Sequence, residues 1–125
     1  MTETNQQPIE QWLTSLQTGG GKLVRCRCCS AAITQSSDKI NIGLSHHHHL
    51  TSPEGLSFNL RCFKHAPGCA LSGIPSDEDS WFGGYHWQLA QCAECAEHLG
   101  WYYQRQNNRF FFGLIQDRLI NENNN

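Results

Sequence analysis

The chain has 125 residues, a net charge of −2 and 16% charged side chains, which is the size of a single domain. That balance excludes the basic footprint of a bulk nucleic-acid binder and any electrostatic pull toward an anionic membrane. No run of about 18 apolar residues is present to span a bilayer. The N-terminus has neither the basic start nor the apolar stretch of a secretory signal, so a cytoplasmic location is expected.

Residues 1–21 form a polar N-terminal extension ending in Gly19-Gly20-Gly21. Within it Ile9, Trp12, Leu13 and Leu16 fall at helical spacing, which reads as a short helical turn. Beyond the glycines the period drops to two. Ile40, Ile42 and Leu44 alternate with polar residues, as do Leu56, Phe58, Leu60 and Cys62, and then Tyr85, Trp87 and Leu89. Short apolar stretches at 22–26, 100–104 and 110–115 complete the strand candidates. Pro53-Glu54-Gly55, Pro67-Gly68, Gly73 with Pro75, and Gly83-Gly84 separate them as turns. This predicts an all-β domain over residues 22–120 with no long helix. His46–His49 looks like a metal tract and reads as a solvated loop that binds metals adventitiously rather than as a functional site. Residues 121–125 read as a disordered polar tail.

The seven cysteines are an odd number, and in a reducing compartment metal binding outranks disulfides. Cys26 and Cys29 form one C-x-x-C, and Cys92 and Cys95 another. Each places two sulfurs from one tight turn on the same ion, and two pairs complete the closed tetrahedral shell of one structural zinc. The 62 residues between the pairs make the ion a clip between distant parts of the chain. Cys28 competes for the first pair but lacks the spacing to Cys29. Cys62, on an alternating strand, reads as a small buried hydrophobe.

Trp81, Trp87 and Trp101 crowd around the second pair. Trp87 precedes Cys92 on a strand and Trp101 follows Cys95 on another, so those two strands are expected to be neighbours. The three indoles then wall one small box, or else serve as ordinary large core residues. An open box would take either a neutral non-aromatic ring or a methylated ammonium group. Asp77, Glu78 and Asp79 favour the cation if they point inward.

The run Pro75-Ser76-Asp77-Glu78-Asp79-Ser80-Trp81-Phe82-Gly83-Gly84-Tyr85-His86-Trp87 is followed by Cys92-Ala93-Glu94-Cys95. His98-Leu99-Gly100-Trp101 and Phe112-Gly113-Leu114 come next, in that order. Together these motifs closely resemble the CULT domain, the thalidomide-binding domain of cereblon, including its single-domain bacterial relatives. The resemblance implies a β-tent: two antiparallel sheets at a steep angle, pinned by a structural zinc on four cysteines. It implies a tri-tryptophan cage of Trp81, Trp87 and Trp101 with Tyr103 beside it. Glutarimides, dihydrouracil-like or uracil-type rings and related cyclic imides would enter, met mainly by backbone groups of Asp79 and Trp81. Glu78 and Ser80 match residues of the same loop. Ser52-Pro53 stands where the family commonly has Asn-Pro on the covering flap, with Phe58 further along. Asp79 replaces a histidine or aromatic. Both departures bear on ligand preference.

These readings imply a monomeric, non-catalytic binding domain for a small cyclic imide or uracil-type ligand, or for a peptide end carrying a cyclic imide. Neither nucleic acid nor membrane is an expected partner. A reader of methylated ammonium groups is the alternative. An enzyme like the B-type methionine sulfoxide reductases would need a nucleophilic cysteine on a late strand, and none follows Cys95.

Overall fold

The computed structural model describes residues 22–121, Asn107 excepted. The helical spacing at Ile9–Leu16 and residues 122–125 lie outside the described residues. Nine strands run in chain order: β1 (Leu23–Cys26), β2 (Ala32–Gln35), β3 (His47–Thr51), β4 (Ser57–Phe63), β5 (Cys69–Ser76), β6 (His86–Cys92), β7 (His98–Arg105), β8 (Arg109–Ile115) and β9 (Leu119–Asn121). Two short 3-10 turns, Ser36–Asp38 and Gln116–Arg118, are the helical elements among the described residues.

The strands make two antiparallel sheets, so the all-β expectation holds. One has three strands in the order β2-β1-β9, and the other six in the order β3-β4-β8-β7-β6-β5. β9 returns to β1 with Val24 opposite Asn121, so Asn121 belongs to a strand rather than to the polar tail that its composition suggested.

The large sheet is covered on both faces, one residue out of step. Phe63 and Leu114 point to a core shared with Val24, Ile33, Leu99 and Cys92. Cys62, next to Phe63 in the chain, builds a second core with Tyr103 and Phe111 that Phe82, Tyr85, Trp87 and Trp101 partly cover. This is why the second half of β4 is a continuous buried run rather than an alternation.

Three sequence expectations give way. The Ile40–Leu44 alternation makes only isolated bridges, Lys39 to Phe63 and Ile42 to Ser45. Leu44 is fully exposed, at a turn where Gly43 has φ +69°. The four-histidine tract is no loop: His47–Thr51 is an edge strand paired with β4 from His47↔Arg61 to Thr51↔Ser57. Gly73 and Pro75 lie inside β5, where the register to β6 slips between Ser72 and Ser76. A bulge on an edge strand accommodates both residues without ending the pairing.

One close approach positions the site. A Cβ at Gly100 would stand 2.1 Å from the Gly113 carbonyl oxygen, so β7 and β8 meet as they do only with glycine there. Trp101 follows directly and pairs with Gly113.

Candidate metal centre and aromatic hollow

The metal centre is built from two copies of one local device. Cys26 ends β1 and Cys92 ends β6. After each, the chain folds back identically: the N–H of Ser30 donates to the Cys26 carbonyl at 2.8 Å, and that of Ala96 to the Cys92 carbonyl at 2.9 Å. The N–H of Cys26 donates to Ala31 and that of Cys92 to Glu97, both at 2.8 Å. Ser30 and Ala96 are both left-handed, with φ 68°. Each turn thereby throws its second cysteine, Cys29 or Cys95, back beside the first.

The two turns face each other. The Sγ atoms of Cys26, Cys29, Cys92 and Cys95 all lie within 4.8 Å of one another. Cys26 is 3.7 Å from Cys95 and Cys29 is 3.5 Å from Cys92. A tetrahedral thiolate shell with metal–sulfur bonds near 2.3 Å needs sulfurs about 3.8 Å apart, so the four fit one ion. Cys28 is exposed and interacts with Cys95, but it is not one of the four mutually close sulfurs.

Four thiols this close share their protons as a unit. A backbone N–H of Glu97 pulls the Cys95 thiol down to about 7. Cys29 is pushed up to about 12, its backbone partner at Ala31 outweighed by desolvation and the sulfurs of Cys92, Cys95 and Cys26. Burial raises Cys26 as well. Only a cation among them lets all four ionise together. Cys62 and Cys69, each pushed up to about 12 by burial, are inert thiols.

The second assembly stands on the other face of the large sheet. A hollow of about 280 Å³ is lined by Ser52, Pro53, Glu54, Glu78, Asp79, Trp81, Trp87, Trp101 and Tyr103. β6 and β7 are neighbours, with Trp87 opposite Tyr103 and Leu89 opposite Trp101, so Trp87, Trp101 and Tyr103 rise from one sheet face. Trp81 comes from the loop before β6 and meets Trp101 edge to face, with centroids 5.2 Å apart at 88°.

Hydrogen bonds and ring contacts fix the walls. The Trp87 indole N–H donates to the Glu78 carbonyl at 2.8 Å, tying the loop to the strand. The Trp81 indole N–H donates to the Thr51 carbonyl at 3.1 Å, tying the loop to the end of β3. His98 stands edge-on behind Trp101 at 5.0 Å, and its Nε2 is 2.9 Å from the Gly100 carbonyl. Desolvation lowers the His98 pKa below its ordinary value. Tyr103 stacks on Phe111 with centroids 5.0 Å apart.

Two residues singled out in the sequence do not line the hollow. Phe58 braces it from outside, 5.9 Å from Trp81 and 5.5 Å from Trp101. Ser80 points inward along its own loop and donates from Oγ to the Phe82 carbonyl. Glu54 is a lining residue that the sequence reading left in a turn. Its only signal was adjacency to Pro53.

The main-chain groups of Asp79 and Trp81 make no hydrogen bond among the described residues. Asp79 is left-handed, with φ 55°, at the turn of the loop. This leaves polar backbone at the rim of an indole-walled space.

Fold and sites together define a class: an all-β domain with a four-cysteine metal centre at one end and an aromatic hollow on the opposite face of its main sheet. No family model matches the chain. It is 35% identical over 100 residues to protein cereblon of Drosophila melanogaster, covering 71% of this chain and 16% of that protein. Against protein cereblon of Gallus gallus it is 43% identical over 54 residues, covering 40% of this chain and 12% of the relative. Against that of Drosophila willistoni it is 45% identical over 58 residues, covering 43% and 9%. The chain carries a cereblon-like domain of the CULT type, and spans about a sixth or less of the length of these relatives. No helix among the described residues is long and apolar enough to cross a membrane.

Proposed function

We propose that this chain is a non-catalytic, monomeric binding domain that holds a compact cyclic imide or uracil-type ring among Trp81, Trp87 and Trp101. A free small molecule or a peptide end carrying a cyclic imide would serve. The observation that carries the reading is the 280 Å³ hollow between those indoles. Edge-to-face packing of Trp81 on Trp101 leaves space in front of them instead of filling it.

The binding physics follows from the walls. Indole faces bury the ring's aliphatic carbons, worth about 25 cal/mol per Å² of apolar area. The imide N–H and C=O groups need partners inside, or each costs about 1–3 kcal/mol. The unpaired backbone groups of Asp79 and Trp81 are the available partners. The indole N–H groups of Trp81 and Trp87 are already engaged, so a ligand meets the faces of those two rings. Micromolar affinity, about 8 kcal/mol, suits a ring of this size.

Zinc is the ion this donor set fits best, since four thiolates form the closed shell of structural zinc. Cys26, Cys29, Cys92 and Cys95 would hold it, and its contribution is to fold the chain rather than to react.

A second reading has its own observation. Glu54, Glu78 and Asp79 all line the hollow, and carboxylates beside indole faces favour a methylated ammonium. The two readings separate in one titration of the metal-loaded protein, followed by tryptophan fluorescence. Glutarimide should saturate the change with little salt dependence. Trimethyl-lysine should not, and if it alone saturates, with salt-sensitive affinity, the cation reading replaces ours. Trp101→Ala should abolish glutarimide binding while the metal content stays at one ion per chain.

A further inference from the structure

We infer that His47 and His49 form a second metal site, a two-imidazole chelate for a divalent transition metal such as Ni²⁺ or Zn²⁺, on the exposed face of β3. The inference is independent of the aromatic hollow.

The strand sorts the histidine tract into two pairs. His46 meets Phe63 edge-on with centroids 5.4 Å apart, and His48 meets Phe82 edge-on at 5.2 Å. Both are half-buried, and each has a ring nitrogen near a backbone carbonyl, His46 with Ile40 and His48 with Ser45. His47 and His49 alternate with them and are exposed. Residues two apart on a strand share a face about 6.6 Å apart. Two imidazoles so placed can turn their nitrogens onto one ion at the usual bond length of about 2.0 Å.

Donor chemistry supports the same pair. His49 Nδ1 is 2.8 Å from Asn59 Oδ1. An amide oxygen only accepts, so the ring donates from Nδ1 and its Nε2 carries the free lone pair. A ligating histidine commonly donates its second N–H to an oxygen in this way. Asn59 is the direct cross-strand partner of His49, so the sheet register sets the orientation. Among the described residues the His47 ring makes no hydrogen bond. Arg61 lies opposite His47, but its guanidinium sits over the Phe63 ring, at 5.3 Å, and Phe63 is two residues further along β4, away from Asn59, the partner of His49. Two protein nitrogens leave the remaining coordination positions to solvent, so the site is open where the four-cysteine centre is closed.

The test uses the full chain with its cysteine centre already loaded with zinc, and Ni²⁺ as the probe. Calorimetry should give one further Ni²⁺ per chain. The paramagnetic ion should broaden the ring proton signals of His47 and His49 before those of His46 and His48. His47→Ala with His49→Ala should remove the binding. Asn59→Ala should weaken it about tenfold, the lower end for losing such an orienting partner. His48→Gln should leave it unchanged. Equal loss in His48→Gln would show that the tract binds without regard to strand face and would overturn the site, as would nickel binding that survives the double substitution. His47 and His49 are exposed, whereas His48 and Asn59 are half-buried, so circular dichroism of each variant checks the fold before its nickel binding is compared.

Discussion

The indole N–H of Trp81 reaches the main-chain carbonyl of Thr51 at 3.1 Å. These residues belong to different segments, the loop before β6 and the end of edge strand β3. The bond therefore ties one wall of the hollow to the segment Ser52-Pro53-Glu54 that forms another.

Trp81→Phe keeps an aromatic wall and removes that N–H. The exposed carbonyl regains water, so the stability cost should stay near 1 kcal/mol. Amide exchange at Gly55 and Leu56, whose N–H groups bond to Ser52, should speed up because the turn loses its tether. Unchanged exchange there would show that Thr51 is held by β4 alone.

Stripping the metal should unfold the domain in one cooperative step. An ion held by the four cysteines would bridge the β1 end to the β6–β7 turn, and metal binding at a site absent from the unfolded chain is folding free energy. A domain of this size has about 5–15 kcal/mol in total, and losing the metal link between the two cysteine turns removes a large part of it. The check is near-ultraviolet circular dichroism before and after verified removal by a chelator. A native spectrum from metal-free protein would contradict the structural role.

Ser30 and Ala96 occupy the left-handed position of the two cysteine turns at φ 68°. That conformation strains residues with a Cβ by about 1–2 kcal/mol, whereas glycine adopts it freely at an entropic cost of about 0.5–1 kcal/mol. Ala96→Gly and Ser30→Gly should each leave the metal-loaded domain equal or more stable, by up to about 1 kcal/mol. The urea midpoint measures it. Ala96→Val should move the midpoint the other way.

Two histidines tie stability to pH. Desolvation is the main cause lowering both His46 and His98 below the ordinary 6.5. Each is therefore held neutral in the folded state more strongly than in the unfolded one. The unfolded chain binds more protons below pH 6.5, so stability is complete above that value and falls as the pH drops through the folded pKa values. Ring proton signals of His46 and His98 should titrate below 6.5 in a nuclear magnetic resonance pH series. Midpoints at or above 6.5 would refute the burial argument.

The covalent order of residues was enough for the all-β class, the four cysteines and the three tryptophans. The strands and the cysteine set rest on short-range spacing, period-two alternation or two sulfurs from one tight turn, whereas spacing left the tryptophans as either a box or ordinary core and only the family resemblance pointed to a cage. Long-range packing settled the rest. Ile40–Leu44 alternates as well as any true strand, yet has no extended partner to complete a ladder. His46–His49 looks like a solvated tract, yet pairing with β4 makes it an edge strand and gives its two faces opposite fates. Gly73 and Pro75 read as a break, yet an edge position absorbs them as a bulge. Glu54 enters the hollow and Phe58 stands behind its wall because of how the turn after β3 folds against Trp81. Local spacing carries no information about which distant strand supplies a partner, and that partner decides what is buried, what is exposed and what faces the hollow.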